Sequence, residues 1–274
     1  MLREYVFLRM GRELSILVDS HLSGLLQLEH VEYWYAKPEV VWHDPRPFFQ
    51  RGIVARTITG SLLKTPCPTD LSSALWILRL MVECSDPEVS FGHVLDHVNV
   101  FLAPFLRKEK ISSIIPQIKN FLLDLSLILE RRNHYLALGL DPTIPSYMAD
   151  AEAVGLTKGV TYGDLTSAAY ALFKAFLSAL ETEFLPRIVP FIRYSEELPY
   201  SAHRLVSNTA APVFITDERV SYSPNGHLVA PDWREDWELD TLRIAAVGSV
   251  SINLPRIAYE ARGSDADFFS ALEN

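Results

Sequence analysis

Cysteine is scarce in this chain: Cys67 and Cys84 are the two thiols in 274 residues, and they stand far apart. Two isolated thiols form neither a disulfide framework nor a cysteine-based zinc site. Positive charge is also short, with 25 Lys and Arg against 34 Asp and Glu, a formal net charge of −9. That balance argues against general nucleic-acid binding, which draws its affinity from a basic footprint on phosphates. No run of 18 apolar residues occurs, and the richest stretch, residues 121–129, is interrupted by Asp124. No membrane-spanning segment is therefore expected. The first residues, MLREYVFLRMGREL, carry charges through their apolar run and do not read as a secretory signal, so a cytoplasmic location is the default expectation. Gly-rich phosphate loops, a Ser–His–Asp signature and a paired-carboxylate motif are all lacking.

What remains is the composition of an ordinary globular protein, 49% hydrophobic and 22% charged. A chain of this length buries roughly three quarters of its unfolded surface. Apolar residues at Leu14, Leu17, Val18, Leu22, Leu25, Leu26 and Leu28 predict an amphipathic helix over residues 11–30. Residues 31–42 read as β-like, a short helix is expected before Gly52, and residues 60–68 read as a loop stiffened by Pro66-Cys67-Pro68. Asp70 caps a helix through residue 83, residues 94–105 read as one buried helix, and another helix covers 112–130. Strands are expected at 135–140, 187–193 and 213–215, with helices at 165–183 and 202–208 between them. Residues 221–240 form the longest polar stretch, with a turn at Pro224-Asn225-Gly226. Alternating helices and short apolar strands in the second half point to an α/β fold with a mainly parallel sheet, after a mainly helical N-terminal part. No linker or repeat interrupts the chain, so a single domain over residues 1–274 is expected.

One stretch organises the rest: Gly248-Ser249-Val250-Ser251-Ile252-Asn253-Leu254-Pro255-Arg256-Ile257-Ala258-Tyr259-Glu260-Ala261. Alternating small and apolar residues from Ile244 to Ile252 predict a short, mostly buried strand. Asn253 then caps a helix with Pro255 in its first turn, and Gly263 ends it before a second helix over 264–272. This wording, with Asp265-Ala266-Asp267-Phe268-Phe269 after it, closely resembles a segment of the anaerobic (class III) ribonucleotide reductases, a glycyl-radical enzyme family. Further segments resemble the same family in the same order. They are His43-Asp44-Pro45-Arg46, then Phe91-Gly92-His93 running into Asn99-Val100-Phe101-Leu102-Ala103-Pro104-Phe105, then YLALGLDPTIP from Tyr135, and IVPFIRY from Ile188. The resemblance spans about residues 40–274 and implies half of a ten-stranded α/β barrel, a mainly parallel sheet with outer helices.

The departures fall on the family's chemistry. The resemblance places a finger loop at residues 216–245, where the family carries the cysteine that becomes a thiyl radical, and no cysteine stands there. Val40, Val41 and Trp42 precede His43 where the family usually has a second cysteine, and Phe91, Gly92 and His93 replace Gly-Gly-Gln. The family's nucleotide-binding cone, second barrel half, zinc site and glycyl loop are not expected in this chain. The resemblance therefore implies a catalytically inactive relative, acting as a binding, regulatory or assembly subunit. Its alternatives are one chain of a split reductase whose partner supplies the radical site, and a deoxynucleotide-binding module without turnover. No catalytic residue, cofactor or metal site is expected. His93 and His97 have i, i+4 helical spacing but no evident third ligand, and His43-Asp44 reads as a hydrogen-bonded pair at a turn. Cys84 reads as a small core residue and Cys67 as an unpaired structural thiol. Trp233 and Trp237, in an acidic stretch, are the candidate partner-binding residues. A homodimer or a protein partner is expected, since half a barrel exposes an inner sheet face carrying residues such as Leu136, Leu138, Ile188 and Phe191. The acidic residues of 221–240 argue against that segment covering the face itself.

Overall fold

The structure is a computed structural model describing residues 2–10, 15–56, 60–106, 111–155, 158–182, 185–195, 198–209, 211–233 and 235–273. Its helices are α1 (Leu2–Met10), α2 (Ser15–Ser23), α3 (Arg46–Arg51), α4 (Leu71–Ser85), α5 (Val98–Leu102), α6 (Ile111–Glu130), α7 (Thr166–Thr182), α8 (Tyr200–Thr209), α9 (Leu254–Glu260) and α10 (Asp265–Glu273). Its strands are β1 (Leu26–Leu28), β2 (Val40–Trp42), β3 (Val54–Arg56), β4 (Leu62–Lys64), β5 (Gly92–Leu95), β6 (Tyr135–Leu140), β7 (Ile188–Arg193), β8 (Val213–Ile215), β9 (Ser221–Tyr222), β10 (Leu228–Val229), β11 (Ala245–Ala246) and β12 (Val250–Ile252). Two compact units result, residues 40–245 and residues 1–39 with 246–274.

The larger unit is built on a six-stranded sheet in the order β11-β2-β5-β6-β7-β8. The pairs β2–β5, β5–β6, β6–β7 and β7–β8 are all parallel. Parallel neighbours need long crossovers, and α4, α6 and α7 lie between successive strands as those crossovers. Pro190 is tolerated inside β7 because it precedes the residues that pair with β8, so its missing N–H breaks no bond on that side.

Side chains alternate across the sheet. Leu95, Leu136, Leu138, Leu140, Ile188 and Ile192 join α4, α6 and α7 in the main core. Leu136, Leu138 and Leu140 are fully buried there, each worth about 1.5–3 kcal/mol over exposure. This corrects the expectation that Leu136, Leu138 and Ile188 point inward: they face the helices. The register leaves Trp42, Val94, Ala137, Gly139 and Phe191 on the other face. Helix α6 is long and apolar enough to cross a membrane, yet its Ile114, Ile118, Leu122, Leu125 and Leu129 are packed in the core. Helix α4 starts where expected: Asp70 accepts from the Ser73 N–H at 2.8 Å, and the Ser73 hydroxyl accepts from the Asp70 N–H at 3.1 Å.

The inner face is covered by the chain itself. The β9–β10 hairpin reaches across it, with Ser221 Oγ accepting from Trp42 Nε1 at 3.0 Å and the Tyr222 ring 5.8 Å from Phe191. Pro224 comes close enough to β5 that a Cβ on Gly92 would lie 3.1 Å from its Cγ. Self-covering was not expected, because residues 221–240 carry several carboxylates. The inserted part is Ser221-Tyr222-Ser223-Pro224, and those carboxylates all follow it, from Asp232 onward.

Other differences have local causes. Residues 94–105 are buried as expected but form the end of β5, then α5, then a 3-10 turn over Ala103–Phe105. Periodicity alone does not separate a buried strand from a buried helix. Residues 60–68 contain β4, which pairs antiparallel with β3. In the smaller unit, the helix read over 11–30 is α2, which ends at Ser23 before Gly24 at φ 79°; residues 11–14 lie outside the described residues. The stretch 244–252 is not one strand of the parallel sheet. It divides into β11 and β12, and β12 is exposed and pairs antiparallel with β1, Leu26 opposite Ile252. The break falls at Gly248, where a Cβ would lie 2.2 Å from Trp34 Nε1, so the indole occupies the space of a side chain. Asn253 does cap α9, accepting from the Arg256 N–H at 3.1 Å.

Candidate functional site

In a parallel sheet, functional groups collect where the strands end at their carboxyl side. Here a charge stands at the carboxyl end of each central strand: Asp96 just after β5, Asp141 just after β6 and Arg193 as the last residue of β7. Arg193 is the centre. Its Nη1 donates to Asp96 Oδ1 at 2.8 Å and to Asp141 Oδ1 at 3.0 Å, and its Nη2 to Asp96 Oδ2 at 2.9 Å. Its Nε and Nη2 donate to the carbonyls of Glu218 and Val220 at 2.8 and 2.9 Å. All five guanidinium N–H groups are thus engaged. Burial disfavours the ionised Asp96, but the Arg193 charge and hydrogen bonds outweigh it and hold the carboxyl well below its usual range. Gly139 is required beside this pair, because a Cβ there would stand 2.1 Å from Asp96 Oδ1 and 2.6 Å from Phe191.

His97 continues the network. Its Nδ1 lies 2.8 Å from Asp141 Oδ2, and its Nε2 lies 3.1 Å from the Tyr147 hydroxyl. That hydroxyl is also 3.1 Å from the Glu218 carbonyl, and its single proton goes to one acceptor or the other. Burial raises the Tyr147 hydroxyl far above the ordinary tyrosine value. His97 holds φ 52°, a left-handed conformation that costs a non-glycine residue about 1–3 kcal/mol. Its N–H is held by Asp96 Oδ1 at 2.8 Å. Asn99 locks the neighbouring strand end, donating to the carbonyls of Asp141 and Ala169 and accepting from the Asp141 N–H at 2.9 Å.

A second ion-pair cluster closes the mouth beside β2. Asp44 receives Arg46 Nε and Nη2, each at 2.9 Å, and Arg243 Nε at 2.8 Å. Arg46 Nη1 reaches Glu238 Oε1 at 2.6 Å, and Arg243 Nη2 reaches Glu238 Oε2 at 3.4 Å. Arg46 lies 5.3 Å from the Trp237 ring, whose centroid is 5.0 Å from Tyr147 and 6.4 Å from His97. Two carboxylates and two guanidiniums neutralise each other under an aromatic cover.

The structure separates several residues that the sequence suggested together. Trp237 packs inward, whereas Trp233 is 88% exposed. His43 and Asp44 are not paired: adjacent residues in extended chain face opposite sides, and His43 instead meets His93, Nε2 to Nδ1, at 3.0 Å. His93 sits on β5 and His97 after it, so no helical face presents both. Cys84 is exposed and is not a core residue. Cys67 is exposed as well, its Sγ donating to the Gln50 carbonyl at 3.0 Å beside a cleft of about 700 Å³. Sequence reasoning assigned no role to Asp96, Asp141 or Arg193, although Asp141 and Arg193 stand at the ends of apolar strand runs, the position that marks a site in parallel sheets.

Neither a protein-family model nor a curated protein matches the sequence. Solved structures do match. The anaerobic ribonucleotide reductase from Thermotoga maritima with citrate in the active site aligns at TM-score 0.70 and 13% identity, over 99% of this chain and 52% of that one. The same enzyme in complex with dATP and CTP aligns at 0.68 and 14%, over 99% and 49%. Another structure, described as anaerobic ribonucleotide reductase, aligns at 0.67 and 15%, over 99% and 45%. The chain spans about half the length of the structures it matches. The resemblance read from its segments holds at the level of fold: this protein has the architecture of one half of an anaerobic ribonucleotide reductase, a mainly parallel six-stranded sheet backed by helices.

Proposed function

We propose that this chain is an anaerobic ribonucleotide reductase-like protein that performs no reduction and acts by binding, as a regulatory or assembly subunit. One observation carries the reading. The segment that crosses the inner sheet face presents Ser221, Tyr222, Ser223 and Pro224, and residues 216–245 contain no thiol. Hydrogen abstraction from a ribose by a thiyl radical requires a sulfur at the substrate, and a serine hydroxyl does not substitute for it. The strand-end charges favour the same reading, because Arg193, Asp96 and Asp141 are consumed by one another and by loop carbonyls. The test is deoxynucleotide formation under anaerobic conditions with an activating radical-SAM partner and an active reductase as positive control. The chain alone is expected to give none, and turnover would overturn the reading.

Nucleotide binding without turnover is a second reading, favoured by the neighbours, one of which has dATP in its specificity site. A ligand that binds the folded chain alone raises its melting temperature by mass action. Saturating dATP is expected to shift Tm upward on this reading; an unchanged Tm refutes it and leaves the protein-partner role.

A further inference from the structure

Behind the sheet, on the helix side, lies a second polar cluster that the strand-end network does not touch. Asp86, at the end of α4, His93 on β5 and His134, just before β6, converge there, all buried. Asp86 Oδ1 is 2.7 Å from His134 Nδ1 and 3.3 Å from His93 Nε2. One donor atom from each residue lies within 4.8 Å of the other two. We propose that Asp86, His93 and His134 form a binding site for one divalent transition-metal ion, with Zn2+ as the chemical type.

Donor chemistry, geometry and the hydrogen bonds behind the ligands support this. Two imidazoles and one carboxylate are the borderline ligands that Zn2+ and its neighbours prefer, and three protein ligands leave a fourth position open. Tetrahedral ligands about 2.1 Å from an ion stand about 3.4 Å apart, so modest rotations of these side chains would seat one. His93 has the outer partner expected of a metal-bound histidine: its Nδ1 lies 3.0 Å from His43 Nε2. His43 is buried beside it, so its Nε2 can accept from His93 Nδ1–H when an ion holds His93 Nε2. Arg132 Nε is 3.3 Å from Asp86 Oδ2, which anchors one carboxylate oxygen and leaves Oδ1 toward the histidines. A cleft of about 440 Å³, lined by Glu83, Pro87, Ile128, Arg131 and Arg132, opens beside Asp86.

The competing description is a carboxylate hydrogen-bonded by two imidazoles, and it needs the opposite proton arrangement. There His93 Nε2–H donates to Asp86, so His93 Nδ1 accepts from His43 Nε2–H. With the ion bound, His93 Nδ1–H donates and His43 carries its proton on Nδ1. The experiment strips the full chain with chelator, titrates Zn2+ calorimetrically, repeats with Co2+ while recording visible absorption, and reads the His43 tautomer by 15N NMR. The expected result is one ion per chain, the d–d bands of low-coordinate Co2+, and an Nδ1–H tautomer at His43. His134→Gln, close to the surface, should abolish these signals while circular dichroism shows the fold retained. His43→Ala should weaken binding about 10–100-fold, and the exposed His203→Gln should leave it unchanged. Absence of stoichiometric binding to the wild type overturns the proposal, as does equal affinity in a folded His134→Gln variant.

Discussion

Arg193 shows how one side chain can satisfy a site so fully that nothing is left over. Its five donors meet two carboxylates and two carbonyls, so removing it strands Asp96 and Asp141 in the interior. Arg193→Met is expected to cost about 3–5 kcal/mol at neutral pH, measured by urea unfolding. The pH dependence has a definite sign. In the wild type, the depressed Asp96 contributes stability above the unfolded carboxylate value of about 3.9 and loses it as pH falls through its lower folded value. Without the guanidinium, burial dominates and raises Asp96, so its contribution is unfavourable at neutral pH and fades on acidification. The gap between wild type and variant should therefore narrow from pH 7 towards pH 4; a gap independent of pH would contradict the assignment. Gly139→Ala is expected to cost about 1–3 kcal/mol through overpacking, because its new methyl would meet the Asp96 carboxylate and the Phe191 ring. Thermal unfolding measures it.

Elements whose start is set by local chemistry were legible in the sequence. Asp70 and Asn253 announced α4 and α9, since a cap is written within four residues. Asp70→Ala should lower stability by about 1 kcal/mol, visible as a lower chemical midpoint with an unchanged slope, because nothing beyond the cap is lost. The strands β6 and β7 were legible as apolar runs bounded by turns. Which face of those strands points where was not, because every residue of β6 after Tyr135 is buried and alternation leaves no polar marker. The split of 244–252 was equally hidden: it depends on the Trp34 indole against Gly248, more than two hundred residues away. The strand-end site was half visible, its charges in plain sight but their convergence set by the parallel register, which no local pattern encodes.

At the scale of the molecule, a parallel sheet ends in edges, and β8 is the last strand of this one among the described residues. An unpaired edge is a template for association, and the proposed binding role needs a partner. Sedimentation at micromolar concentration is expected to show a dimer or a defined complex; a monomer at every concentration, with no co-purifying chain, would remove that support. The hairpin across the sheet has a further consequence, in time rather than in space. Trp42 waits for Ser221, which lies 179 residues later. At about 5–20 residues per second of synthesis, the indole spends roughly 10 to 35 seconds without its partner on every new chain. During that interval Trp42, Val94 and Phe191 emerge from the ribosome on an uncovered face, so each nascent chain presents the surface that a chaperone recognises. Slowing translation should lengthen that exposure, and shortening it should favour the soluble product.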